Sequence, residues 1–208
     1  MVLSSSDSIH EITFVRKTGK QKKSFAQGHI RIIAGTWRGR KLAVLDREGL
    51  RPTTDRVRET LFNWLMPFVQ GARCLDACAG TGVLGLESLS RGAAWVDFVE
   101  RDRQLAANLN DKIQLLNANG VVHNQSIESF LSGAVSPAQT YDIVFIDPPF
   151  AADLQNEIAD LLIVNHCLSD AALIYVESDR EQTFSLPQEW QVYREQKTRR
   201  INYALLQC

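Results

Sequence analysis

Between Arg73 and Glu177 the chain alternates five short apolar runs with four segments whose apolar residues recur at helical spacing. The runs read as strands at Arg73–Ala77, Trp95–Glu100, Val121–Asn124, Tyr141–Ile146 and Ala171–Glu177. The helices between them fall at Val83–Arg91, Arg103–Asn117, Ile127–Leu131 and Leu154–Asn165. Successive parallel strands need long crossovers, and a helix supplies each one, so this order predicts a doubly wound parallel sheet with helices on both faces. The end of the chain breaks the rule. WQVYREQ and INYALLQC are joined through residues 197–200 with no helix between them, which predicts an antiparallel hairpin that brings the α/β sheet to seven strands.

Upstream, IRIIAGTWRGRKLAVL reads as two short strands around Gly35 and Gly39. LRPTTDRVRETLFNWL carries a helix start, with Thr53 or Thr54 as N-cap, Asp55 in the first turn, and Val57, Leu61, Phe62 and Leu65 on one face before Pro67 ends it. The expected organisation is a flexible basic tail over 1–29, a β-hairpin and helix extension over 30–66, and a main domain over 67–208. A chain of 208 residues, 45% hydrophobic, suits one substantial core.

Net charge is −1, but residues 1–60 hold 13 Lys and Arg against 6 Asp and Glu, while the remainder holds 10 against 18. Basic charge gathered in the first third suits a polyanionic partner, since each neutralised phosphate releases counterions. Trp37 with Arg38, Arg40 and Lys41 puts an aromatic beside a basic cluster, a surface suited to RNA, and Arg199 and Arg200 in the final hairpin are expected to add to it. No stretch approaches the roughly 20 apolar residues of a membrane helix, and the first residues lack a secretory pattern, so a cytoplasmic protein is expected. Cys74, Cys78, Cys167 and Cys208 fit neither a zinc pattern nor a disulfide framework, so no metal is expected.

The first predicted strand runs into LDACAGTGVLGLESLSRG, which sets Gly80 and Gly82 in the turn to the next helix. Glycines there let backbone amides approach a ligand, and Gly80, Gly82 and Gly85 spell GxGxxG. Glu100, 20 residues beyond Gly80 and ending the second strand, is placed to accept ribose hydroxyls. Ala77 and Thr81 in the loop, and Arg101 after Glu100, are expected to line the same pocket. This pattern suits NAD and other adenosine cofactors alike. Asp76 shifts the balance, because a carboxylate at that strand tip repels a pyrophosphate and attracts the ammonium and sulfonium of S-adenosylmethionine.

The fourth strand is expected beside the first, across the point where ligands bind, and it ends in Asp147, Pro148, Pro149 and Phe150. An acid followed by two prolines also serves as a plain strand stop. The chemistry it suits is methyl transfer to an exocyclic amine of a nucleobase, whose lone pair is delocalised into the ring. Asp147 and the Pro148 carbonyl can accept the amine hydrogens and favour a pyramidal nitrogen, and Phe150 can stack on a flipped base. With an ordinary pKa near 4, Asp147 acts as acceptor rather than general base.

These motifs resemble those of class I S-adenosylmethionine methyltransferases: DACAGTG is similar to their first motif, Glu100 to their ribose acid, and DPPF to the motif of amino-methylating members. Over about 180 of the 208 residues the chain is similar to the RsmD family, bacterial methyltransferases of 16S ribosomal RNA, through RIIAGTWRGRKL, GLRPTTDRVRETLFNWL, LDACAGTGVLGLESLSRGA, FVERD and FIDPPF. The resemblance implies methylation of guanine N2 in 16S rRNA of a small ribosomal subunit or late assembly intermediate, and since nothing in the sequence suggests an obligate dimer, a monomer is expected. It also implies a cofactor- or substrate-facing role for Thr53, Thr54 and Arg56. The family often has Asp or Asn after the third strand for the adenine amine. Here Asn124, Gln125 and Ser126 stand there, with Ser126 taken as the candidate. The alternatives are an adenine-N6 methyltransferase of DNA or RNA, an NAD-dependent oxidoreductase reading GxGxxG literally, and an RNA-binding module without activity.

Overall fold

The computed structural model describes residues 28–45, 53–133, 140–148, 154–180 and 187–208. It opens with an antiparallel hairpin, β1 (Gly28–Arg31) and β2 (Lys41–Val44), followed by α1 (Asp55–Leu65). Then come β3 (Arg73–Asp76), α2 (Val83–Ser90), β4 (Trp95–Val99), α3 (Arg103–Leu116), β5 (Gly120–His123), α4 (Ile127–Ser132), β6 (Tyr141–Ile146), α5 (Gln155–Val164), β7 (Leu168–Asp179), β8 (Gln191–Lys197) and β9 (Ile201–Gln207). The seven-stranded sheet has the order β5-β4-β3-β6-β7-β9-β8. The first five of these strands pair in parallel, and β9 pairs antiparallel with both β7 and β8. This is the doubly wound sheet with a terminal antiparallel hairpin that the strand–helix alternation predicts.

Alternation along each strand builds two cores. Cys74, Phe98, Ile143, Phe145 and Tyr175 face α1, α2 and α3, while Leu75, Val99, Val144, Ile146 and Ile174 face α4 and α5. Burial on both faces is what a parallel sheet requires. Helix α1 starts at Thr54, whose side chain accepts from Val57 N at 3.4 Å, and the predicted apolar face is buried. Most boundaries fall within one residue of the sequence reading, and those of β1 and β7 differ by more. Gly28 and His29, assigned to the tail, pair with Val44 and Ala43, and β7 begins at Leu168, ahead of Ala171, with a register shift against β6.

The N-terminal hairpin is fastened to α2 by a buried charge network. Glu87, fully buried, accepts from Ile33 N at 2.8 Å, Ala34 N at 3.0 Å, Arg91 Nε at 2.8 Å and Arg58 Nη1 at 3.4 Å. Arg58, 1% exposed, also donates to the Arg31 carbonyl at 2.9 Å and to Asp55 at 2.6 Å. A buried carboxylate persists only when its lone pairs are taken up, and here two backbone amides and two guanidinium groups do so. The consequence for the site is that α1, which begins beside the sheet's C-terminal edge, is held at a fixed position.

Candidate active site

The parallel register aligns the strand tips. Asp76 on β3 lies opposite Phe98 on β4 and Phe145 on β6, and Phe145 lies opposite Tyr175 on β7. Two residues past Phe145 and Tyr175 come Asp147, just beyond β6, and Glu177, within β7, so the neighbouring strands carry a carboxylate at the same level on the side facing α1. Glu100 ends β4 on the other flank.

Between β3 and α2 the loop turns on Gly80 at φ 51° and Gly82 at φ 76°, left-handed values that favour glycine. A Cβ on Gly82 would collide with Leu109 of α3. Three side chains hold this loop in place. Glu100 Oε2 accepts from Gly80 N at 2.8 Å, and its Oε1 accepts from Asp102 N at 2.7 Å. Asp76 Oδ2 accepts from Gly85 N at 3.0 Å in the first turn of α2. Lys112, a buried lysine on α3, donates to the Thr81 carbonyl at 2.9 Å. Burial pushes the Lys112 ammonium down to about 8. Ala77 is buried, its amide bonded to the Phe145 carbonyl at 3.0 Å.

Asp76 therefore does cap α2, the plain role a sequence reading also allows, but its electrostatics go further. Burial, with smaller contributions from the charges of Asp147 and Glu100, raises its pKa to about 7 against the single Gly85 bond. Asp97 on the opposite face shows what full satisfaction does. Burial raises it too, yet bonds from His123, Trp95 and Tyr141 and the charge of Arg73 hold it below the usual carboxylate value. A cation brought beside Asp76 would favour its ionised form and lower its pKa again.

Asp147 is half-buried, and its Oδ2 accepts from Thr53 Oγ1 at 2.9 Å. Burial raises its pKa to about 6, the Thr53 bond opposing the shift, which corrects the ordinary value near 4 expected from sequence. It remains chiefly ionised at neutral pH and is a better proton acceptor than a free carboxylate. Pro148 is buried behind it. Pro149 and Phe150 lie outside the described residues.

Thr53 also stands in the wall of an open cavity of about 590 Å³. Thr54 and Arg56 from the start of α1 share that wall, Glu177 and Tyr203 come from the sheet, and the β8–β9 turn contributes Lys197, Arg199 and Arg200. The structure thus brings Arg56, Arg199 and Arg200 together beside Asp147. It does not bring the other basic cluster there. The turn carrying Arg38 and Arg40 is held against the C-terminal end of α2, through Thr36 N to the Ser90 carbonyl at 2.7 Å and Trp37 N to Ser90 Oγ at 3.0 Å. A helix of this length, 8 residues, spans about 12 Å, which separates that turn from the strand tips. Arg38, Arg40 and Lys41 are exposed, while Trp37 is half-buried against the core.

After β5, Asn124 Nδ2 donates to the Glu100 and Arg101 carbonyls at 2.9 and 3.1 Å. Arg101 is exposed, and half-buried Ser126 caps α4 through Ser129 N at 3.2 Å. The sequence reading missed Lys112 and Glu177. Among the described residues no three His, Cys, Asp or Glu side chains gather to hold a metal ion, and no helix is long and apolar enough to cross a membrane.

Residues 30–207 match the model of a family described as conserved hypothetical protein 95. Ribosomal RNA small subunit methyltransferase D of Escherichia coli K12 is 48% identical over 190 residues, spanning 90% of this chain and 94% of that protein. The protein of the same name from Haemophilus influenzae is 46% identical over 185 residues, 88% of this chain and 95% of the relative. The solved structure of yhhF from Escherichia coli superposes with a TM-score of 0.80 at 47% identity, covering 86% of this chain and 98% of that one.

Proposed function

This chain belongs to the RsmD family, and from that premise we propose that it transfers a methyl group from S-adenosylmethionine to the exocyclic N2 of a guanine in 16S ribosomal RNA. The relatives' names support the ribosomal RNA substrate. The observation that carries the chemistry is the placement of Asp76 and Asp147 at the ends of the adjoining strands β3 and β6. Asp76, Ala77, Gly80, Thr81, Gly82 and Glu100 form the cofactor pocket, with Arg101 and Ser126 at its edge and Thr53 and Thr54 closing it. Residues 30–66 form an RNA- and cofactor-facing extension of the methyltransferase domain.

Bound in the crevice, S-adenosylmethionine supplies an electrophilic methyl group on a sulfonium. The protein's part is to hold the amine against it. Asp147 and the Pro148 carbonyl accept the two N–H hydrogens, which turns the nitrogen lone pair out of conjugation and toward the methyl carbon. Positioning of this kind accounts for roughly 7–11 kcal/mol of barrier in favourable cases. Once methylated, the nitrogen is cationic and acidic, and Asp147 takes its proton. Arg56, Arg199 and Arg200, with the basic face at Trp37, Arg38, Arg40 and Lys41, hold the phosphates of RNA in a small subunit or late assembly intermediate.

Calorimetry separates this reading from a dinucleotide-binding one. S-adenosylmethionine is expected to bind and NAD is not, because the acids that attract a sulfonium repel a pyrophosphate. With Asp76 near 7 in the free protein, a cation that favours its ionised form releases a proton below that pH. Affinity is expected to fall roughly tenfold from pH 7.5 to pH 6, and binding tighter at pH 6 contradicts the assignment.

A further inference from the structure

Both methyl-accepting amines, guanine N2 and adenine N6, suit Asp147 and Pro148, so the choice of base must come from elsewhere in the site. Glu177 is placed to make it. It lies on β7 one strand from Asp147, since Ile146 and Val176 are register partners and each is followed by an acid. Adjacent strands stand about 4.8 Å apart, close to the spacing between neighbouring groups on one edge of a base. Glu177 is 5% exposed, lines the same cavity as Thr53, whose hydroxyl bonds Asp147, and is oriented by the Tyr175 hydroxyl, which donates to its Oε2 at 2.9 Å. Behind it the rings of Phe145, Tyr175 and Tyr203 are packed in succession at 6.4 and 6.2 Å, which fixes the strand tips relative to one another. A carboxylate has about four acceptor sites, so it can accept from an incoming N–H as well as from a neighbouring hydroxyl such as that of Tyr175.

Taking the chain as a guanine-N2 methyltransferase, we infer that Glu177 selects guanine by accepting the N1–H beside the reacting N2 amine. The Watson–Crick edge of guanine presents N1–H and N2–H₂ side by side, three donors facing Asp147, the Pro148 carbonyl and Glu177. Adenine presents its amine beside a bare N1, whose lone pair would face the Glu177 carboxylate with no proton between them. Selection then works by attraction for one base and repulsion of the other, and a buried acceptor left facing an acceptor is costly.

The test compares guanine with 2-aminopurine at the target position of small subunits. 2-Aminopurine keeps the N2 amine and has a bare N1. The wild-type protein is expected to prefer guanine by at least about 10³-fold in kcat/KM. In Glu177→Gln the side-chain amide can donate to a bare N1, so turnover of guanine falls while that of 2-aminopurine is held or rises, and the preference shrinks below about tenfold. A purely structural role for Glu177 would lower both substrates equally and overturn the inference, as would a wild-type protein that methylates both within tenfold. Tyr175→Phe removes only the orienting hydroxyl and carries the test if Glu177→Gln does not fold. Its preference is expected to drop several-fold, and an unchanged preference overturns the inference. Methylation of guanine with no such selectivity leaves the proposed function standing, whereas no methylation of either substrate by the wild-type protein removes both.

Discussion

Replacing Asp147 by alanine is expected to lower the rate of methyl transfer by at least about 10³-fold, in line with the loss of one preorganised group at a reacting centre, while S-adenosylmethionine binds within a few-fold of its original affinity. Thr53 fixes one carboxylate oxygen at 2.9 Å, so the other can be aimed at an amine hydrogen without reorganisation when the base arrives. Alanine leaves the amine in conjugation with its ring and removes the acceptor for the proton that methylation releases. Single-turnover rates at pH 8 beside calorimetric affinities make the comparison. With the Asp147 pKa near 6 in the free protein, kcat/KM of the wild type should also fall as pH drops below about 6. Loss of that acid limb in the variant would identify its source, and wild-type turnover by the variant would end the acceptor role.

Asp76→Asn is expected to weaken S-adenosylmethionine binding by roughly thirtyfold. Two unit charges 4 Å apart interact by about 4 kcal/mol at an effective dielectric of 20, and half of that corresponds to this loss in affinity. The asparagine retains an oxygen for Gly85 N, so the cap on α2 survives and only the charge is removed. Stability should move the other way. The folded pKa of Asp76, about 7, lies above the ordinary carboxylate value, so the folded protein holds a proton that the unfolded chain releases between about pH 4 and 7. Stability of the ligand-free protein therefore falls as pH rises through that window, and the asparagine variant is expected to melt no lower than the wild type at pH 8. A role confined to capping predicts unchanged affinity instead.

The order of the elements is readable because period-two and helical patterns are local. The tips Asp76, Glu100 and Asp147 are readable for the same reason, each being the residue at which an apolar run stops. What escapes is every group whose role depends on a distant partner. Glu87, Arg58 and Lys112 sit in segments that read as ordinary amphipathic helices, where a charge is normally on the solvent face. Their burial follows from partners 53, 27 and 31 residues away in Ala34, Arg31 and Thr81. Glu177 closes an apolar run as Glu100 does, but nothing local says that its strand neighbours β6, and that neighbourhood gives it a site to face. The basic residues divide by the same logic. Sequence proximity to Trp37 groups Arg38, Arg40 and Lys41, yet the fold gathers Arg56, Arg199 and Arg200 at the reacting end from opposite parts of the chain.

Transfer to guanine N2 is tested most directly by where the methyl group goes. Small subunits from cells lacking this protein, incubated with it and labelled S-adenosylmethionine, are expected to acquire one N2-methylguanine in their 16S ribosomal RNA. Label on adenine N6, or no label on RNA in the presence of the methyl donor, would contradict it.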